Sequence, residues 1–323
     1  MEKLLKREWN YNHTIKACFI GYIVQAIVNN FAPLLFLVFQ SSYGIPLSRI
    51  TLLITFNFCV QLCVDFLSAG FIDKIGYRAS MILAHIMSSC GLIALAVLPG
   101  ILPDPFVGLL ISVTIYAIGG GLLEVLVSPV VEACPTDNKE SAMSLLHSFY
   151  CWGHVGVVLL SSLFFAVFGT DKWQILAVVW ALVPALNSLL FTRVPIYSLT
   201  EEGDRGIPLS GLVKRKTFWV IMLLMLCAGA SEQAVSQWAS TFAEKGLGVT
   251  KTVGDLAGPL TFAILMGAAR VLYAKCSDRV EITKYMTASG ILCLFSYLLI
   301  AFAPVPALGL IGCGLCGFSV GVL

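Results

Sequence analysis

Apolar residues fall in ten long runs, near 17–39, 50–72, 79–100, 105–131, 141–168, 173–192, 217–240, 253–275, 285–303 and 306–323, parted by short polar stretches. A hydrocarbon core about 30 Å thick takes about 20 residues of helix. Each run therefore predicts a membrane-crossing helix, and the chain an all-α, polytopic membrane protein. The polar residues inside the runs are few and periodic. Asn57, Gln61 and Asp65 stand at i, i+4 and i+8, one stripe on a helix. That run ends in a charged turn, Asp73-Lys74-Ile75-Gly76-Tyr77-Arg78. A second copy follows 205 positions later, where Asp278-Arg279 corresponds to Asp73-Lys74 and Arg270 to Asp65. A unit that occurs twice marks an internal repeat.

The longest polar segment, from Arg193 to Lys216, holds Glu201-Glu202-Gly203-Asp204-Arg205-Gly206 and Pro208 and reads as a linker between six runs and four. The expected organisation is a six-span bundle over 1–193, a cytoplasmic linker over 194–216, and a partial second bundle of four spans over 217–323. The final GLCGFSVGVL is apolar with no turn or basic flank behind it, so the second set is expected to be cut off after its tenth span.

Composition agrees with the pattern. Hydrophobic residues make up 58% of the 323 and charged ones 12%, about half the usual charge of a soluble protein, and mean hydropathy is +0.90. A net charge of +2 gives no reason to expect a nucleic-acid partner. The eleven cysteines sit mostly in apolar runs and predict neither a disulfide framework nor a metal. Cys313-Gly-Leu-Cys316 reads as small residues for close helix packing. The polar, basic first 16 residues lack the apolar core of a signal peptide. With ten spans, loops on the N-terminal side hold 15 Lys and Arg and those on the other side four, Arg49, Lys172, Lys245 and Lys251. Positive loops stay inside, so the N-terminus is expected in the cytoplasm and the protein in the cell membrane. The glycosylation sequon at Asn12-His13-Thr14 then lies on the wrong side to be used.

Polar groups in hydrocarbon are functional candidates by default. Glu124, alone in an apolar run, is the first candidate for proton coupling, because burial disfavours a charged carboxyl; the alternative is a neutral acid bonded to a neighbouring helix. Glu232 heads a polar group with Gln233, Ser236, Gln237 and Trp238. Carboxylates and amides suit sugar hydroxyls, and an aromatic ring suits the apolar sugar face, although Trp238 also fits an interfacial anchor. Glu232 is counted as the second coupling acid. Gln25, Asn29 and Asn30 in span one and Gln61 in span two are candidate substrate contacts. His147, Tyr150 and His154 share a face of span five by i, i+3, i+7 spacing and serve either a cavity or proton relay, or helix packing. Asp65 and Arg270, each about 12 Å from its cytoplasmic turn, either form a gate or pair locally.

The loop Ala69-Gly70-Phe71-Ile72-Asp73-Lys74-Ile75-Gly76-Tyr77-Arg78 resembles the pattern Gly-x-Leu-Ala-Asp-Arg-x-Gly-Arg-Lys of the major facilitator superfamily, with Ala69 in place of its first Gly. The second copy, Tyr273-Ala274-Lys275-Cys276-Ser277-Asp278-Arg279, is more degenerate. The resemblance implies the major facilitator fold, with the N-terminal six-helix bundle and four helices of a second. It also implies a gating role for Asp73, Lys74, Gly76, Arg78, Asp278 and Arg279, since the loop aspartate of that family latches one state. Glu124 in GGGLLEVLVSP and the stretch Gly229-Ala230-Ser231-Glu232 through Trp238 resemble the fucose and glucose/galactose proton symporters. Asn29 and Asn30 stand where that subset carries an acid.

The expected function is secondary active transport of a small polar solute, a sugar or related compound, by alternating access around a site from spans one, four, five and seven. The expected partners are that solute, protons and the bilayer, with the protein a monomer. No phosphate-binding Gly-x-x-x-x-Gly-Lys-Ser/Thr loop is present, so a proton gradient rather than ATP is the expected drive. No cofactor and no enzymatic activity are expected. A non-transporting sensor or an inactive remnant is the alternative.

Overall fold

A computed structural model gives the fold and describes residues 9–136, 139–197, 209–276 and 281–321. All regular structure among these residues is helical: α1 (Tyr11–Asn30), α2 (Phe36–Tyr43), α3 (Leu47–Ile75), α4 (Tyr77–Ile101), α5 (Pro105–Glu132), α6 (Lys139–Phe168), α7 (Trp173–Phe191), α8 (Leu209–Leu212), α9 (Lys216–Thr241), α10 (Lys251–Asp255), α11 (Thr261–Cys276), α12 (Ile282–Phe302) and α13 (Pro306–Val320). Among the described residues, nine helical stretches are long and apolar enough to cross a membrane, and α13, of 15 residues, is a shorter apolar helix. The protein is thus all-α and polytopic, with helix on every apolar run.

Local chemistry sets the ends and breaks. Asn10 caps α1 in a reciprocal capping box with His13, and Asp104 caps α5 through the Phe106 N–H at 2.9 Å. Gly76, at φ 83°, both ends α3 and starts α4. A residue with a side chain rarely adopts that angle. Span one breaks after Asn30. Pro33 has no N–H to give the Asn29 carbonyl, and Ala32–Leu35 tightens into a 3₁₀ turn before α2 resumes.

The chain forms two compact units, residues 1–153 with 164–199, and 154–163 with 200–323. In the first, α5 packs on α4, α3 and α1, while α7 covers α4 and α1. The run Gly119-Gly120-Gly121 makes this possible. A methyl on Gly119 would lie 2.6 Å from the Ala84 carbonyl oxygen, and one on Gly121 would lie 3.1 Å from Gln61 Cα. Bare glycine lets α5 touch α4 and α3 at backbone distance, which sets Glu124 one turn further along. A polar knot ties α7 down: Asn187 donates to the Ala17 carbonyl at 3.0 Å and to His85 Nε2 at 2.7 Å, while His85 Nδ1 donates to the Met81 carbonyl.

In the second unit α13 packs on α12, α11 and α9. Two π-helical turns, Phe242–Gly246 and Leu256–Leu260, bracket α10. Across the α9–α10 hairpin, a Cβ on Gly254 would lie 3.1 Å from Ala243 Cβ, and one on Gly258 would lie 3.2 Å from the Ala239 carbonyl. Small residues four apart on both strands of the hairpin bring the helices together.

Candidate functional site

In the first unit, the polar residues of α1, α3, α5 and α6 meet in one cluster. Gln25 Nε2 donates to Glu124 Oε2 at 2.7 Å. Gln25 is 1% exposed, and its Oε1 is buried without a hydrogen-bond partner. Glu124 itself is exposed. One turn along both helices, the Tyr22 hydroxyl meets Ser128 Oγ at 2.8 Å. The Tyr22 ring faces His147 and Tyr150 of α6, at 5.4 and 6.5 Å between ring centres. Asn30 donates to the Ala26 carbonyl at 3.0 Å and reaches the Tyr150 hydroxyl at 3.5 Å. Behind this runs a buried amide chain: Gln61 Nε2 donates to Asn29 Oδ1 at 3.0 Å and to Asn57 Oδ1 at 3.2 Å. The glycines of α5 make room for it, since a Cβ on Gly120 would fall 3.3 Å from Gln61 Nε2.

The second unit holds the other candidates. Gln237 donates to Gln233 at 3.3 Å, and Ser236 and Gln237 are buried. Glu232 lies within electrostatic reach of Arg270 on α11. Trp238 lines an apolar cavity of about 150 Å³ with Val235, Phe242, Tyr297 and Ile300. His154 is buried, with its ring 6.2 Å from that of Phe262.

Lys74 is exposed in the last turn of α3, and Arg78 donates to the Phe191 carbonyl at 2.7 Å, closing the end of α7. Asp65 Oδ1 is buried without a hydrogen-bond partner. The Asp73 side chain and residues Asp278 and Arg279 lie outside what is described.

Sequence reasoning left out Tyr22 and Ser128, although they stand three residues before Gln25 and four after Glu124 and so continue the same faces. It also left out a second charged group. Asp255, 0% exposed, accepts from Ser240 Oγ at 2.5 Å and pairs with Lys251 at 3.1 Å; Lys251 in turn reaches Glu244 at 3.5 Å. A carboxylate inside the eighth apolar run was the available signal.

The family model described as Major Facilitator Superfamily matches residues 17–323. This chain belongs to the major facilitator superfamily. As a member it is a transporter. No curated protein matches the sequence. Its fold is that of solved superfamily members. The xylose transporter XylE from E. coli, in a partially occluded inward-open conformation, superposes with a TM-score of 0.72 at 14% identity over 96% of this chain and 84% of that one. The E. coli fucose–proton symporter FucP gives 0.68 at 17% over 97% and 82%. A D-xylose–proton symporter gives 0.64 at 18% over 95% and 78%.

Proposed function

We infer that this superfamily member is a proton-coupled transporter of a small polyhydroxylated solute, a sugar or close relative, working by alternating access. The observation that carries the reading is the Gln25–Glu124 pair. The Glu124 carboxyl is not covered by protein, as a group that exchanges protons with a wet cavity must be, and the amide bound to it is buried, so a change of charge on Glu124 reaches the interior of the bundle through Gln25. Glu124 is the coupling acid. Gln25, Asn30, Tyr150 and His147 offer the donors and acceptors that solute hydroxyls need, and the Asn29–Gln61 amides hold span one against span two behind them. Gln233 and Gln237 are proposed to contact the solute in the second unit, and Glu232 to be the second coupling acid. The fold shared with xylose– and fucose–proton symporters supports the same reading. The Lys and Arg distribution supports a cell-membrane location with the N-terminus in the cytoplasm, and the protein is proposed to act as a monomer.

The test is uptake of radiolabelled D-xylose and L-fucose into proteoliposomes. Glu124→Gln is expected to abolish accumulation driven by a pH gradient while leaving counterflow of the same sugar in place. Gradient-driven accumulation at the wild-type level in that variant would sink the assignment.

A further inference from the structure

The α9 sequence places Glu232, Ser236 and Ser240 at intervals of four, one polar face that spans about 12 Å along the helix, and Glu244 follows in the π-helical turn Phe242–Gly246. Ser236 and Ser240 are both buried. At its far end the face meets α10. Ser240 Oγ lies 2.5 Å from Asp255 Oδ1, Lys251 Nζ lies 3.1 Å from Asp255 Oδ2 and 3.5 Å from Glu244 Oε1, and Ser162 Oγ of α6 lies 3.3 Å from Asp255 Oδ2. Asp255 is closed to solvent, whereas the Lys251 and Glu244 side chains remain 17% and 18% exposed. Lys251 and Glu244 are thus the more open members of the group, and Asp255 its closed end. At the other end of the face, Arg270 is the cation that Glu232 feels. The groups described as facing Asp255 are Ser240 of α9, Glu244 of the π-helical turn that follows it, Lys251 from its own helix and Ser162 from α6. Glu244 lies in the first of the two π-helical turns, and Lys251 and Asp255 lie between them; such turns often mark functional sites.

We propose that Glu244, Lys251, Asp255 and Ser240 form a proton path from the membrane face away from the linker to Glu232. It deepens, and rests on, the proton-coupled reading above. Two carboxylates and one ammonium leave a single excess negative charge, so the group takes up one proton without becoming positive. A proton from water binds the Glu244 carboxylate. Lys251 gives one N–H proton to Asp255, forming an O–H bond there, and is refilled by the Glu244 proton. Asp255 passes its proton to the Ser240 oxygen while Ser240 releases its own hydroxyl proton to a chain of water molecules along the face, by way of Ser236, that delivers one proton to the Glu232 carboxylate about 12 Å away. One proton moves, every donor is restored, and no electrons change hands. A purely structural ion cluster would hold the hairpin together with no bearing on the protonation of Glu232.

Infrared difference spectroscopy on the full chain in nanodiscs, with labelled glutamate and a pH step, separates the two. The Glu232 carboxyl band is assigned by its loss in Glu232→Gln. Ser240→Ala is expected to slow its appearance at least about tenfold, and Ser240→Thr, which keeps the hydroxyl, to restore it. Lys251→Arg keeps the charge but cannot give up a proton, so it should retain wild-type thermal stability and still be slow. Wild-type rates in Ser240→Ala or Lys251→Arg, or no titrating Glu232 band, would overturn the path. D-xylose uptake in proteoliposomes tests the reading beneath it: slow variants in the infrared with no gradient-driven uptake by the wild type would sustain the path and remove the coupling.

Discussion

Gln25 spends one N–H on Glu124 and keeps its carbonyl oxygen buried without a donor. A hydrogen bond to a charged group contributes about 1.5–3 kcal/mol. Gln25→Leu, which preserves bulk and removes the donor, is therefore expected to weaken solute binding or coupled uptake about 10- to 100-fold, with Gln25→Asn falling between. Equilibrium binding and uptake measured on the same preparation check this, and unchanged values in the leucine variant would contradict the role. Both partners stand out in the sequence, Glu124 as the charged residue of its apolar run and Gln25 as one of three amides in span one. Their pairing does not, because 99 positions separate them and the register of α1 against α5 is set by close approaches such as Gly120 to Val28 and Gly21 to Val127. Asn57, Gln61 and Asp65 show the same limit: a stripe read at four-residue spacing divides into two bonded amides and a carboxylate with one unpartnered buried oxygen.

Helix positions were legible because span length and hydropathy are properties of one segment at a time. Contacts between segments were not, and the α4–α5 seam is the sharpest case. A Cβ on Gly119 would sit 2.6 Å from both the Ala84 carbonyl and the Ser88 amide nitrogen, where only backbone shift relieves it. Gly119→Ala is expected to cost about 1–3 kcal/mol, the range for overpacked cores, and to lower the midpoint of thermal unfolding followed with a thiol-reactive dye. Gly290→Ala on α12, with open space around the new methyl, is expected to be neutral or stabilising by up to about 1 kcal/mol. Equal shifts in the two variants would mean that the seam is looser than its distances. The π-helical turns around α10 were invisible for a different reason: the extra residue in a turn leaves no mark in hydropathy.

Across the molecule, ten apolar runs, a polar divide after the sixth and a repeated charged turn were enough to reach the superfamily, because that architecture is written in hydropathy and loop charge. Orientation rests on the same loop charges and can be read directly. A cysteine placed at Lys172 should react with a membrane-impermeant maleimide from outside intact cells, and one placed at Arg215 only after permeabilisation; the reverse pattern would invert the protein. The joint at Gly76 ties spans two and three more closely than any loop. Its N–H bonds back to Ile72 at 2.8 Å and its carbonyl accepts from Ser80 at 3.1 Å, so the bonding of one helix hands over to the next at a single residue. Such a joint has no spare chain to absorb a change in length. One inserted residue would turn all of α4 by about 100°, carrying His85 off Asn187 and Ser88 off Gly119, so this elbow tolerates exchange of its flanking side chains far better than the gain or loss of a single residue.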